Sequence, residues 1–208
     1  MKKITVIGSL ALALLLSACG EKKEEVSNNN DNGMLECIMT RTSVRQYTDR
    51  PVEKEKIDAM LRAGMAAPTA VNAQPWHFVV VNEKAKLGEL AAANPHAKML
   101  ESAPLAIVVC GDMTKALEGD GRQFWIQDCS AATENILLAA HAQGLGAVWT
   151  ALYPMEERYS AVREALKLPE TMMPLCTIVI GYPSGKADPK DKWKPENVSY
   201  NEYGQAQE

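Results

Sequence analysis

The stretch from Gln123 to Gln143 is the longest helical run in the sequence, rich in Ala and Leu and apolar around most of its circumference. Such a helix has no wet face to present to solvent, so it belongs in the middle of a domain or against another subunit. The rest of the chain must cover it. Between Glu53 and Ala67, residues Ile57, Met60, Leu61, Gly64 and Met65 fall at i, i+3, i+4, i+7 and i+8, one face of an amphipathic helix that Pro68 ends. His77–Val81 is a short β-rich run, Glu83–Ala93 returns to helix, and Leu105–Cys110 reads as a buried strand. Gly144 and Gly146 close the long helix, and Ala147–Leu152 follows as a third strand. Met155–Leu166 is another amphipathic helix, and Leu175–Ile180 is a last strand stopped by Gly181-Tyr182-Pro183. From about residue 184 the chain turns polar and Lys-rich, with Trp193, Tyr200 and Tyr203 at no regular spacing. There is no internal repeat. The pattern predicts one α+β domain over residues 35–208 that ends in an extended C-terminal arm.

The first residues carry an address. Lys2 and Lys3 precede an uncharged run from Ile4 to Leu16, shorter than the about 20 residues a membrane-crossing helix needs. A basic start, a short apolar core and small residues make a secretory signal peptide over residues 1–18. Leu16-Ser17-Ala18-Cys19 resembles the bacterial lipobox, in which the cysteine is lipidated and becomes the first mature residue. Residues 19–34 then read as a flexible tether, since Gly20–Gly33 offers one apolar side chain, Val26. The expectation is an exported body, lipid-anchored through Cys19 to a bacterial membrane on the periplasmic side or at the cell surface.

Charge and motifs narrow the function. With 22 Lys+Arg against 26 Asp+Glu the net charge is −4, which argues against a nucleic-acid partner. Cys37, Cys110, Cys129 and Cys176 are widely spaced without a CxxC, and apolar surroundings at Cys110 and Cys176 favour free buried thiols. No Cys/His spacing matches a metal site. His77, in a strand, reads as a satisfied structural histidine. Gly144-x-Gly146 lacks the third glycine of a dinucleotide fingerprint, Gly181 to Lys186 is one residue short of a P-loop, and no Gly-x-Ser-x-Gly elbow exists.

Three distant segments share one chemical character. Arg41-Thr42-Ser43-Val44-Arg45 puts two guanidiniums and two hydroxyls in five residues, a set able to hold phosphate through charge-assisted hydrogen bonds. Pro68 to Trp76 is a Pro-bounded loop carrying Thr69 and the amides of Asn72 and Gln74, which both donate and accept, as the edge of a heterocycle requires. Lys190-Asp191-Lys192 in the arm offers further cations.

Taken together, these segments resemble the nitroreductase family of flavin mononucleotide (FMN) enzymes. The family shows an Arg-x-Ser-x-Arg motif after its first helix, a Pro-Ser/Thr-x-x-Asn-x-Gln-Pro-Trp loop, and a Gly-Leu-Gly-x-x-Trp stretch after a long central helix. These match Arg41–Arg45, Pro68–Trp76 and Gly144–Trp149. The resemblance covers roughly Leu35 to Tyr203. It implies a mixed central sheet flanked by helices, in an intertwined homodimer with two flavin sites at the interface. Arg41, Thr42, Ser43, Arg45, Lys190 and Lys192 would hold FMN from one subunit, and Pro68, Thr69, Asn72 and Gln74 would approach it from the other. Backbone groups of Thr150 and Ala151 would face the flavin N5. Lys192 stands where many members have Arg, which keeps the charge but loses bidentate binding. Gly111–Arg122 is short where relatives often place a substrate-covering helix, so no substrate pocket carries over.

The resemblance implies an FMN-dependent oxidoreductase that passes two electrons from NAD(P)H or another reduced carrier to nitroaromatics, quinones or similar small-molecule acceptors. No side chain is assigned a catalytic role, because the flavin carries the chemistry. Two alternatives stay open: a flavin-binding lipoprotein that carries electrons between partners, and a specialised family activity such as reductive dehalogenation or flavin breakdown. The export signal gives the carrier weight, since nicotinamide nucleotides are expected in the cytoplasm.

Overall fold

A computed structural model describes residues 33–205. Four strands form one sheet in the order β1-β2-β4-β3: β1 (Trp76–Val81), β2 (Leu105–Asp112), β3 (Gly146–Ala151) and β4 (Met172–Gly181). Five helices accompany them: α1 (Gly33–Thr40), α2 (Lys54–Met65), α3 (Lys84–Ala93), α4 (Phe124–Ala142) and α5 (Glu156–Ala165). The arrangement is an α+β fold, a four-stranded sheet with helices packed against it.

Alternation along β2 divides the core in two. Leu105, Ile107 and Val109 point to the α4 side, where they meet Met60, Cys129, Ile136 and Ala140. Ala106, Val108 and Cys110 point the other way, toward Leu87, Leu90 and Val162 of α3 and α5. With period 2 and apolar residues from Leu105 to Cys110, β2 is buried on both faces. The helices on each side therefore follow from the strand. On α4, Trp125, Cys129, Ala132, Ile136 and Ala140 are buried. α2 approaches closely at Gly64, where a Cβ would stand 2.9 Å from the Ile136 side chain. At the other end of α4, Trp125 lies over Gly111, where a Cβ would be 2.4 Å from the indole ring.

The expected mixed sheet is corrected. All three strand pairings are antiparallel, and the only parallel contact among the described residues is the isolated bridge Ser43–Ala147. The crossover from β2 through α4 does make β2 and β3 run the same way. However, β4 returns between them, so the two never pair. β4 also begins three residues earlier than its apolar run suggests. Its register against β2 shifts where Val109 pairs with Cys176 and Cys110 with Pro174, leaving Leu175 as the extra residue. Proline has no N–H for the ladder and is accommodated at such a bulge.

Cys110, Cys129 and Cys176 are buried free thiols, and Cys37 is a half-buried one. Burial pushes the Cys110 and Cys176 thiols up to about 12 and that of Cys129 further, so all three stay protonated. His77 differs from the sequence expectation. It lies on β1 with its side chain exposed and no hydrogen-bond partner among the described residues.

Candidate functional site

The Arg41–Arg45 segment is sewn to the rim of the sheet. The Val44 N–H donates to the Ala147 carbonyl at 3.0 Å, so the segment lies along the outer side of β3. Gly146 makes that approach possible, since a Cβ there would stand 2.6 Å from Val44 Cγ1. Tyr47 fixes the next turn. It is buried, and its one hydroxyl proton is shared between the carbonyls of Val44 and Val179. Burial drives that hydroxyl far above its ordinary range, with the Arg45 charge acting in the opposite sense. Thr48 N–H then donates to the Tyr182 carbonyl and Ser184 N–H to the Gln46 carbonyl, which starts the C-terminal arm beside this segment.

That return brings the cations together. Arg41, Thr42, Ser43, Arg45, Lys190 and Lys192 line one cavity of about 240 Å³. Arg41 is the only one of its four cations with a carboxylate partner among the described residues, Glu134, at 3.4 Å from Nε. This contact uses the inner nitrogen and leaves the two terminal nitrogens of the guanidinium free to fork around an oxyanion. The lining contains no acid, so an anion entering it would meet only cations and hydroxyls.

Thr150 and Ala151 lie at the far end of the same strand. From Ala147 to Ala151 is four residues, about 13 Å of extended chain. The Thr150 side chain is buried and donates to the Thr177 carbonyl at 2.8 Å, so only its backbone could meet a ligand. Ala151 is exposed, and its carbonyl accepts from Asn94 Nδ2 at 3.2 Å. Asn94 is 1% exposed and also accepts from the His96 N–H, which locks the amide that holds this strand end.

Pro68, Thr69, Asn72 and Gln74 stand apart from this group, in the loop between α2 and β1. The loop is strained: Val71 (φ 44°), Asn72 (φ 58°) and Gln74 (φ 49°) are all left-handed without being glycine. Each such residue costs on the order of 1–3 kcal/mol and persists only where surrounding contacts impose it. The contacts are visible. Thr69 Oγ1 accepts from the Gln74 N–H, Gln74 Nε2 donates to Asn72 Oδ1 at 3.0 Å, and the Ala70 N–H donates to Asp128 Oδ1 at 2.9 Å.

The structure thus gathers six of the sequence-selected residues around one cavity, puts Thr150 and Ala151 one strand-length away, and leaves the loop residues outside its lining. Sequence reasoning missed Asp128, Asn94 and Tyr47. For Asp128 there was a signal, a carboxylate set among the apolar and small residues that open the run from Phe124 to Ala132. Asn94 and Tyr47 act through backbone carbonyls distant in sequence, which no local pattern reveals. Among the described residues no cluster of His, Cys, Asp or Glu could hold a metal ion, and no helix is long and apolar enough to cross a membrane.

The sequence profile of the Nitroreductase family matches residues 38–97 and 91–182. A relative from Methanothermobacter thermautotrophicus, whose name pairs NADH dehydrogenase with NAD(P)H nitroreductase, is 43% identical over 166 residues, covering 79% of this chain and 85% of its own. A solved structure of a similarly named protein from Bacteroides thetaiotaomicron is 52% identical, with a TM-score of 0.78 over 83% of this chain and 99% of that one. An FMN-dependent nitroreductase from Clostridium difficile is 32% identical with a TM-score of 0.75, covering 81% of this chain and 99% of that one.

Proposed function

The chain belongs to the nitroreductase family, and from that membership we propose an FMN-dependent oxidoreductase. It would pass two electrons from NAD(P)H or another reduced carrier to nitroaromatics, quinones or similar acceptors. The observation that carries this reading is the acid-free cavity of Arg41, Thr42, Ser43, Arg45, Lys190 and Lys192. Its composition suits a phosphate monoester. The exposed strand end at Ala151, about 13 Å along β3, suits the reach of a ribityl chain that ends in a ring. The residues present therefore fit the group.

When bound, FMN supplies the electron-transfer chemistry itself. The protein's part is binding and orientation. Arg41 forks around the phosphate while Glu134 holds its Nε, and Arg45 and Lys190 add charge. Lys192 contributes a point charge rather than a second fork. The backbone at Thr150–Ala151, where Asn94 holds the Ala151 carbonyl, would face the ring edge.

The second subunit follows from what one protomer leaves uncovered. α1 buries none of its residues, and Met34, Leu35, Ile38 and Met39 are exposed on it, as are Val71 of the loop and Phe124 at the start of α4. Residues 183–205 are exposed throughout. In a homodimer these surfaces cover one another, and Pro68, Thr69, Asn72 and Gln74 of one protomer complete the flavin site of the other. The lipobox adds a location: Cys19, outside the described residues, carries lipid and holds the body at a membrane. An exported body needs a donor that reaches it there, and this favours a quinol or a reduced redox protein over free nicotinamide.

The test is a visible spectrum followed by a titration. Purified protein should carry, or bind on addition, FMN with flavin absorbance. Arg41→Ala combined with Arg45→Ala should weaken binding by about 100-fold or more, since each charged hydrogen bond contributes about 1.5–3 kcal/mol. Unchanged affinity in the double variant refutes the phosphate assignment. Turnover of a nitro compound or quinone with NADH, NADPH or a reduced quinol then separates an enzyme from a carrier.

A further inference from the structure

We propose that Asp128 is a positioning residue for the flavin site, and that it acts on the cofactor held by the partner protomer. The proposal rests on the FMN reading above and adds to it a residue on α4, remote from the phosphate cavity. Asp128 is 6% exposed, in the second turn of a helix whose neighbouring buried positions are apolar or small. Its Oδ1 accepts the Ala70 N–H at 2.9 Å.

Ala70 is the first residue of the 3-10 turn Ala70–Asn72, the turn that contains the left-handed Val71 and Asn72. Apart from that contact, the hydrogen bonds of Pro68–Gln74 close within the loop itself. They run from Asn72 N–H to the Thr69 carbonyl, Ala73 N–H to the Ala70 carbonyl, Gln74 N–H to Thr69 Oγ1, and Gln74 Nε2 to Asn72 Oδ1. Among the described residues, the Asp128 carboxylate is thus the one hydrogen-bonding hold that the body has on this strained unit. A buried carboxylate bonded to a backbone N–H makes a strong, directional contact. It fixes the height at which Thr69, Asn72 and Gln74 are presented. Without it, the left-handed residues can relax and the amides lose their common orientation.

The direction of action follows from α4. The phosphate segment is tied toward the other end of this helix: Cys37 Sγ lies 3.5 Å from the Leu138 carbonyl and Thr40 Oγ1 lies 2.9 Å from His141 Nε2. From Asp128 to His141 is 13 residues, about 20 Å along the axis, and to Glu134, the partner of Arg41, it is six, about 9 Å. No residue of the loop lines the phosphate cavity of its own chain. A loop fixed at the first turns of α4 therefore serves a cavity on a second copy.

Three variants and one mixing experiment decide the matter, all read as FMN affinity by fluorescence titration of the apoprotein, with sedimentation to confirm the dimer. Asp128→Ala should weaken FMN at least tenfold, and Asp128→Asn, which keeps an acceptor oxygen, should restore most of that loss. Ala70→Pro should match Asp128→Ala. It deletes the donated N–H at the first position of a turn, where proline is tolerated, after a Thr69 that is already extended (φ −136°, ψ 155°). Ala70→Pro leaves α4 untouched, so it carries the test even if Asp128→Ala does not fold.

Differently tagged Asp128→Ala and Arg41→Ala/Arg45→Ala protomers are then co-expressed, and the mixed dimer is purified through both tags. Action across the interface leaves one intact site, so the mixed dimer should bind one FMN per dimer at wild-type affinity while each parent dimer binds weakly. Wild-type affinity in both Asp128→Ala and Ala70→Pro overturns the proposal. A mixed dimer with no tight site also overturns it, by placing loop and phosphate cavity in the same chain. Failure of the wild type itself to bind FMN is a different result, and brings down the functional reading on which the proposal stands.

Discussion

Adding one methyl group at Gly146 tests whether the phosphate segment is held by shape. The new Cβ would stand 2.6, 2.7 and 2.9 Å from Cγ1, Cβ and Cγ2 of Val44. A long side chain could swing aside, but Val44 cannot. Its Cβ moves only with its backbone, which is pinned by the 3.0 Å bond from its N–H to Ala147 and by the Tyr47 hydroxyl at its carbonyl. The strain must therefore move the Arg41–Arg45 backbone or push β3 inward. Overpacking of this kind costs about 1–3 kcal/mol. In a chain of this length each kcal/mol shifts Tm by about 2–4 °C, so Gly146→Ala should melt about 2–12 °C below wild type. The assay is thermal unfolding of apoprotein, which removes ligand stabilisation from the comparison, paired with FMN titration, where affinity should fall as well. Gly88→Ala is the control. Gly88 is exposed in α3 with nothing within 4 Å of a Cβ, so the same chemical change should stabilise by about 0.5–1 kcal/mol. Gly146→Ala melting with wild type and binding FMN as tightly would refute the reasoning.

Three further outcomes are expected. Glu53 accepts from the Tyr182 hydroxyl at 2.6 Å and pairs with Arg50, which also stacks over the Tyr182 ring; Tyr182 foremost, then the Glu53 backbone N–H and Arg50, hold the carboxyl at about 2. Because the folded value lies below the ordinary one, this contribution is present above about pH 4.5 and lost as pH falls toward 2. The urea midpoint should therefore drop less between pH 6 and pH 3 in Tyr182→Phe than in wild type; equal drops argue against the clasp. In a chain starting at Gly33, a thiol reagent should modify Cys37 quickly and reach Cys110, Cys129 and Cys176 only on unfolding; rapid reaction of all four contradicts their burial. An alkyne fatty acid fed to cells should label wild-type protein and leave Cys19→Ser unlabelled, while an unlabelled wild type removes the anchor.

How far the sequence could be read depended on the range of the interaction. The helical face at Ile57, Met60, Leu61 and Gly64 and the apolar runs of β2 and β4 are local patterns, and they appear within a few residues of their expected bounds. Sheet order is not local. Nothing near Leu175 indicates that β4 will enter between β2 and β3, and the mixed sheet implied by the resemblance is antiparallel in all its strand pairings. The cationic half of the site was legible because charge clusters in sequence at Arg41–Arg45 and again at Lys190–Lys192. The devices that hold it in place, Gly146 under Val44 and Tyr47 on two carbonyls, join residues at least three and mostly many positions apart, and no local pattern marks them.

The bridge between Ser43 and Ala147 also bears on solubility. β3 is the terminal strand on its side of the sheet, and its sequence Gly-Ala-Val-Trp-Thr-Ala is uncharged. A bare terminal strand of that kind is a template on which another chain can pair and aggregate. The phosphate segment lies across part of it and occupies the Ala147 carbonyl. The stretch that the proposed function makes a ligand cradle is thus also an edge guard. Truncating Arg41 or Arg45 removes charge and leaves the guard in place. Changes that lift the backbone away, at Val44, Gly146 or Tyr47, uncover the strand as well, and should lower solubility together with cofactor affinity.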